Sequence, residues 1–315
     1  MRIVVALVAA LLAQSAAAQY PSKPIRILVP FAAGGVTDIV TRVVAQRMGA
    51  DSGSAILVEN KTGASGRIAY DAAAKSAPDG YTLAAVDGAY PVLPALYALT
   101  WDFGSDLVPV TISALAPFVV VVRADSGIKT IGEFVARAKA NPGKLNYGSA
   151  GVGGANHVVT ELFKRAAGVD LTHVPFRGMG EAMVGLIGST VDVIITAQPT
   201  AMSNLKSGKI VPLAESSEKR SKVLPAVPTG AEAGYPGFVA SNWVGLMAPK
   251  GTSPEAIAWL HKHVVAALAA PDVKERLEAL GAEPSGITPQ EFAGVLRDDQ
   301  KRWAEVIRAA NIRAE

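Results

Sequence analysis

The chain has 315 residues, half of them hydrophobic, with 30 Lys and Arg against 27 Asp and Glu, a net charge of +3 and no cysteine. Charges are scattered without runs, which excludes an electrostatic footprint for nucleic acid or an anionic membrane. The lack of cysteine excludes a disulfide framework, thiolate metal sites, a lipid-modified cysteine and a cysteine nucleophile.

In chain order, Arg2, the apolar run 3–13 and the small residues Ala16, Ala17 and Ala18 read as an export signal cleaved after Ala18. The apolar run is shorter than the roughly 18 residues that a membrane-spanning helix needs. The remaining length commonly divides into two domains. Apolar, β-branched segments predict strands at 24–30 (PIRILVP), 55–60, 81–86, 118–123 (FVVVVR), 171–176, 191–196 and 210–215, with a short one at 145–147. Amphipathic stretches separate them. Thr130 with Glu133 forms a capping box for a helix that stops before Asn141, Pro142 and Gly143. Thr288 with Glu291, and Pro289 at the first helical position, opens a long helix that turns Phe292, Leu296, Trp303 and Ile307 inward. Alternation of this kind predicts an α/β fold with parallel sheets covered on both faces. Ligands of such folds enter at the carboxyl ends of strands, where helices begin.

Two such junctions carry glycine. PFAAGGVTD (30–38) follows the first strand, with Thr37 or Asp38 positioned to cap the next helix. GSAGVGGANH (148–157) follows the short strand, with Ser149 offering a hydroxyl. Both place helix N–H donors where a carboxylate can sit. The second departs from a dinucleotide fingerprint, because Asn156 stands where the third glycine belongs and no acid ends the next strand. His157, one turn into its helix, reads as a structural hydrogen-bonding residue. Signatures of hydrolases, zinc proteases and P-loop enzymes are missing. Asp170, Asp192 and the Glu59–Asn60 pair read as caps and turns. A hydrolase using Ser149 with His157 is the alternative, and it lacks an evident acid partner or oxyanion donor.

YPSKPIRILVPFAAGGVTDIV (20–40), APDGYTL (77–83), NPGKLNYGSAGVGG (141–154), HVPFRG (173–178) and LPAVPTGAEAGYPGF (224–238) together resemble the tripartite tricarboxylate transporter receptors, also called Bug proteins. The resemblance runs in order from Tyr20 to the C-terminus. It implies a type II periplasmic binding protein: two α/β lobes with a ligand cleft between them and two crossover strands, closing on a small carboxylate. The ligand would be an aliphatic di- or tricarboxylate or an aromatic acid. The receptor would act as a monomer, without cofactor or metal, and deliver its ligand to integral-membrane transporter subunits. A carboxylate-sensing receptor for a signalling partner is the other role the resemblance allows.

Mapped onto this chain, the resemblance puts lobe one at 20–122 plus 242–315 and lobe two at 123–241. The crossings fall near Val122, Arg123 and Ala124, and near Val239, Ala240 and Ser241. The ligand loops correspond to residues 31–38, with Phe31, Ala33, Gly34, Gly35, Thr37 and Asp38, and to 149–156, with Ser149, Ala150, Gly153 and Asn156. Several side chains depart from the family pattern and become specificity candidates. Arg67 reads either as reaching a distal carboxylate or as a surface arginine. Asp87 and Tyr90 would add an acceptor and a ring beside the cleft. Thr196 and Gln198 stand where an acidic recognition group is usual; Arg177 keeps the basic residue usual at its position and faces the cleft mouth or the interlobe surface. Trp243, at the second crossing, reads as core packing.

Overall fold

The computed structural model describes residues 20–309 and 311–313; the expected export signal, residues 1–18, lies outside the described residues. The first lobe opens with β1 (Ile25–Val29), α1 (Val36–Ser52), β2 (Ile56–Asn60), α2 (Arg67–Ala74), β3 (Thr82–Asp87) and the single turn α3 (Leu93–Leu96). Strand β1 lies between β2 and β3, parallel to both. Alternation along these strands explains the two-sided core. Ile25, Ile27 and Val29 of β1, with Leu83 and Ala85 of β3, pack beneath Val40, Val44 and Met48 of α1. Leu28, Ala84 and Val86 point the other way, into a cluster with Tyr70, Tyr90 and Trp243.

The chain then enters β4 (Leu107–Arg123), a 17-residue strand that serves both lobes. Lobe two follows with α4 (Ile131–Ala140), β5 (Asn146–Ser149), α5 (Ala155–Ala167), β6 (Thr172–Pro175), α6 (Met179–Ile187), β7 (Val193–Ala197), α7 (Gln198–Lys206) and β8 (Ile210–Glu215). Strand β9 (Ser241–Pro249) returns to lobe one. It is followed by α8 (Pro254–Ala269), α9 (Pro271–Glu278), the two-residue β10 (Glu283–Pro284) and α10 (Pro289–Ala309). The order β2-β1-β3-β9-β4-β7-β5-β6 makes one path through both lobes, with β8 and β10 also on β4.

Three sequence expectations change here. The sheets are mixed rather than parallel, since β9 runs antiparallel to β3 and β4, and β4 antiparallel to β7 and β8. A chain that leaves for a second lobe and comes back must run its two connecting strands in opposite directions. Strand β4 is also longer than the 118–123 read from sequence. Residues 107–117 of β4 pair with β9, and residues 118–123 pair with β7 and β8, so the strand changes partners between Pro117 and Phe118. Periodicity marks FVVVVR as a buried strand but says nothing of which sheet it joins. Two register shifts and Pro109 obscured the first half of β4 altogether. The second passage falls at Ala240, whose N–H donates to Ser216 O (2.9 Å), while Ser241 already pairs with Pro117.

The third change concerns α10. Phe292 and Leu296 pack in lobe one, but Trp303 and Ile307 belong to the apolar cluster of lobe two. At 1.5 Å per residue, this 21-residue helix is about 30 Å long, enough to span both. It is tied to the second crossing by Trp243 Nε1 donating to Asp299 Oδ2 (2.7 Å) and Arg302 donating to Val239 O (2.8 Å). Its start carries the reciprocal box read from sequence: Glu291 N–H donates to Thr288 Oγ1, and Thr288 N–H to Glu291 Oε2. Helix α4 is capped by Thr130, which accepts from Glu133 N, and α8 by Ser253.

Candidate ligand-binding site

Loop 31–38 leaves the carboxyl end of β1. Neither Thr37 nor Asp38 caps α1 as the sequence suggested: the N-cap is Gly35, with no side-chain cap. Asp38, already inside the helix, reaches back instead. Its Oδ2 accepts Gly34 N–H (3.1 Å) and its Oδ1 accepts from Arg42 Nε and Asn60 Nδ2 (both 2.9 Å). Asn60 also donates to Phe31 O (2.9 Å), so the end of β2 holds both ends of the loop. Asp38 is therefore a buried organiser of the loop, and the amide of Gly34 is taken. Ala33 and Gly34 are exposed, whereas Phe31 is buried in the cluster built mainly of lobe-two side chains.

Thr37 donates to Asp87 Oδ2 (2.8 Å), and Ala89 N–H donates to Oδ1 of the same carboxylate (3.0 Å). Burial pushes Asp87 up to about 6, against the effect of those two donors. Next to it, Gly88 N–H donates to Asn242 Oδ1 (3.1 Å) at the second crossing. Tyr90 is corrected from cleft wall to core: it is fully buried, stacks on Phe103 (4.8 Å between centroids) and meets Tyr70 edge-on. The 3₁₀ turn that follows β3 rotates it inward. Arg67 is also engaged within its own lobe. Its Nε donates to Ala64 O (3.0 Å) and its guanidinium lies 3.8 Å from the Tyr97 ring centroid.

In lobe two, Ser149 is fully buried at the carboxyl end of β5. Its Oγ accepts from Gly151 N–H and lies 2.6 Å from His173 Nε2, not beside His157. The parallel register of β5 and β6, which sets Tyr147 opposite His173, makes this contact. His157 and His173 stack at 4.1 Å, and Tyr147 stacks on His173 at 4.8 Å. Desolvation lowers His157 to about 4 and His173 to about 3, so both imidazoles are neutral at pH 7. His157 plays the structural part expected of it, accepting Gly153 N–H at Nδ1 (3.0 Å). Asn156 donates to Ile195 O (2.7 Å), which ties α5 to β7, and Ala150 is buried beside the loop.

Thr196 and Gln198 lie fully buried where β7 gives way to α7. Gln198 Nε2 donates to Glu215 Oε1 (2.8 Å), while Gln198 Oε1, Thr196 Oγ1 and Thr200 Oγ1 have no hydrogen-bond partner among the described residues. Glu215 accepts further from Ser217 and Ser221, and its burial raises its pKa. The carboxylate bound to this glutamine comes from β8, not from the 196–198 stretch. Arg177 is exposed, its backbone N–H donating to Glu181 Oε2 (3.2 Å).

The two lobes meet directly over these loops. A Cβ on Gly180 would collide with the Ala33 carbonyl oxygen, and one on Gly178 would lie 2.7 Å from Ala32 N, so only glycine permits this approach. Ser65 and Tyr97, in lobe one, both donate to Val152 O in lobe two (2.6 and 2.9 Å). Four helices begin at this seam, and their N-caps, Gly35, Gly154, Gly178 and Ala197, offer no side-chain acceptor. Uncapped first turns leave backbone donors and partial positive charge, the arrangement that suits an anion. Asn60, Ser65, Tyr97, His173 and Asn242 were not singled out from sequence as site residues. Only His173 had a signal, its place in HVPFRG; the others are brought in by register and by the docking of one lobe on the other.

The family model described as tripartite tricarboxylate transporter family receptor matches residues 40–312. Protein BugT of Bordetella pertussis is 39% identical over 292 residues, covering 92% of this chain and 90% of BugT. Among solved structures, the periplasmic binding protein BugD matches with a TM-score of 0.90 at 33% identity, over 94% of this chain and 100% of that one. MatC from Rhodopseudomonas palustris, with bound malate, matches with a TM-score of 0.87 at 33% identity, over 91% and 100%. Matches of this extent carry the two-lobed periplasmic binding protein fold and set aside the hydrolase reading of Ser149, since the matching proteins form a receptor family. The chain belongs to the tripartite tricarboxylate transporter receptors, the Bug family of periplasmic solute-binding proteins.

Proposed function

We propose that this receptor captures a small organic carboxylate between its lobes and passes it to the membrane subunits of a tripartite tricarboxylate-type transporter. The observation that supports the reading is the set of uncapped helix starts around the seam where the lobes touch, Gly35 in lobe one and Gly154, Gly178 and Ala197 in lobe two. Burying a carboxylate is costly unless it is hydrogen-bonded, and amides offered from both sides meet that need without a buried arginine. The malate bound by MatC is the chemistry such a site takes. Loops 31–38 and 149–156 hold the carboxylate, and Thr196, Gln198 and Thr200, with unpartnered buried oxygens, read the rest of the ligand.

In this reading lobe one comprises residues 20–117 and 241–302 and lobe two residues 118–240, with the end of α10 docked on the latter. Export proceeds by cleavage after Ala18. The mature chain then starts next to Tyr20, whose hydroxyl is fixed to Gly80 O (2.7 Å). Calorimetric titration with malate, succinate, adipate, citrate and benzoate tests the proposal. Saturable heat from at least one is expected, and silence from every carboxylate would remove it.

A further inference from the structure

We infer that the peptide bond joining Val152 to Gly153 is the closure contact of the site, gripped at its oxygen by Ser65 and Tyr97 of lobe one and at its N–H by His157 of lobe two. The inference rests on reading the seam as a cleft that opens and closes. A trans peptide directs its C=O and N–H in opposite directions. Here the oxygen receives Ser65 Oγ and Tyr97 Oη (2.6 and 2.9 Å), and the N–H runs to His157 Nδ1 (3.0 Å). One rigid plane is therefore held from both sides, and it lies two residues before the first turn of α5. Fixing it fixes the donors of that turn.

The lobe-one side is built as a unit. Ser65 and the preceding Ala64 have φ of 54° and 49°, a region that side chains other than glycine seldom occupy, and this turn aims the Ser65 hydroxyl across the seam. Arg67 joins the turn to Tyr97: its Nε holds Ala64 O and its guanidinium lies on the Tyr97 ring. The arginine thus acts as a positioning residue for the two hydroxyls rather than as a ligand for a distal carboxylate. On the lobe-two side, Gly153 has φ of 78°, and a Cβ there would lie 2.5 Å from Leu96 Cδ1 of lobe one.

Because these contacts join opposite lobes, they exist only when the lobes have met. They stabilise the closed form whatever solute is inside, so they set how long a ligand stays and leave the rate of encounter alone. Cysteine substitution of the exposed Lys139 and Lys274 in this cysteine-free chain gives one fluorophore site per lobe. Single-molecule energy transfer on the ligand-free receptor then reads closure directly. Ser65→Ala and Tyr97→Phe are expected to move the population towards greater separation. With any carboxylate from the titration panel that binds, dissociation should quicken roughly two- to tenfold per hydroxyl removed, with association within about twofold. Thr130→Ala, at the cap of α4 and away from the seam, should release ligand like the unaltered receptor.

Unchanged distance distributions in variants that melt like the unaltered chain would overturn the inference, as would a loss of affinity carried by association. If no carboxylate binds, the proposed function fails, and the ligand-free distances still decide the closure contact.

Discussion

The two glycine-bearing loops are alike in sequence and opposite in how they are held. Loop 31–38 is fixed within its own lobe by a charged group, Asp38, which gathers Gly34, Arg42 and Asn60. Loop 149–156 is held by two neutral imidazoles, His157 accepting Gly153 N–H and His173 bonded to Ser149 Oγ, and is completed from the other lobe by Ser65 and Tyr97. Under the proposed function, the first loop is set mainly within its own lobe and the second is completed when the lobes close. Differential contact of this kind is what a ligand needs in order to shift an open receptor to a closed one.

The largest effect should come from removing the anchor of the self-sufficient loop. Asp38→Ala removes the buried carboxylate that Gly34, Arg42 and Asn60 share and should lower stability by about 3 kcal/mol, with binding lost. Denaturant unfolding and titration measure both, and a variant as stable as the parent would contradict the anchoring role.

Acid should act on the other loop. The folded imidazoles resist protonation, at about 4 for His157 and about 3 for His173, while the unfolded chain takes up protons near 6.5. Stability therefore falls as pH drops from about 6.5 towards 4, by on the order of 3 kcal/mol for each ring. The charged groups in play are Glu161 and Lys164 on α5, the former accepting from the Tyr147 hydroxyl. Asp87 works in the opposite sense. Its folded value of about 6 lies above the ordinary 3.8, so protonation favours the folded state as pH falls through 6, and the loss through the histidines is partly masked. Asp87→Asn should steepen the acid decline between pH 6 and 4, and His157→Asn should flatten it. A pH profile of the melting midpoint that neither substitution alters would refute this assignment.

Gly180→Ala separates folding from closure. Alanine improves the helix by up to about 1 kcal/mol, whereas its methyl group meets Ala33 O only when the lobes touch. Overpacking of about 1–3 kcal/mol should weaken ligand binding about 5- to 150-fold while the open protein is no less stable. Parallel loss of stability and affinity would count against a contact confined to the closed form. The smallest effect lies far from both loops. Thr130→Ala removes the cap of α4 and should cost about 1 kcal/mol in thermal unfolding, with binding unchanged.

The sequence alone determined the α/β class, the strands with continuous apolar runs, the capping boxes at Thr130 and Thr288, the inward stripe of α10, the two glycine loops and the family. Each of these is a local pattern, written within one or two turns of chain or in contiguous motifs, and local patterns survive without knowledge of the partner. What only the tertiary structure decided depends on residues distant in sequence. That β4 is one strand serving two sheets, that α10 spans both lobes, that Tyr90 is core and that Ser149 meets His173 rather than His157 all follow from strand register and lobe docking. Periodicity shows which face of an element is buried but not against what, and a hydroxyl such as that of Tyr97 acquires a role only when Val152, 55 residues away, is brought within 2.9 Å of it.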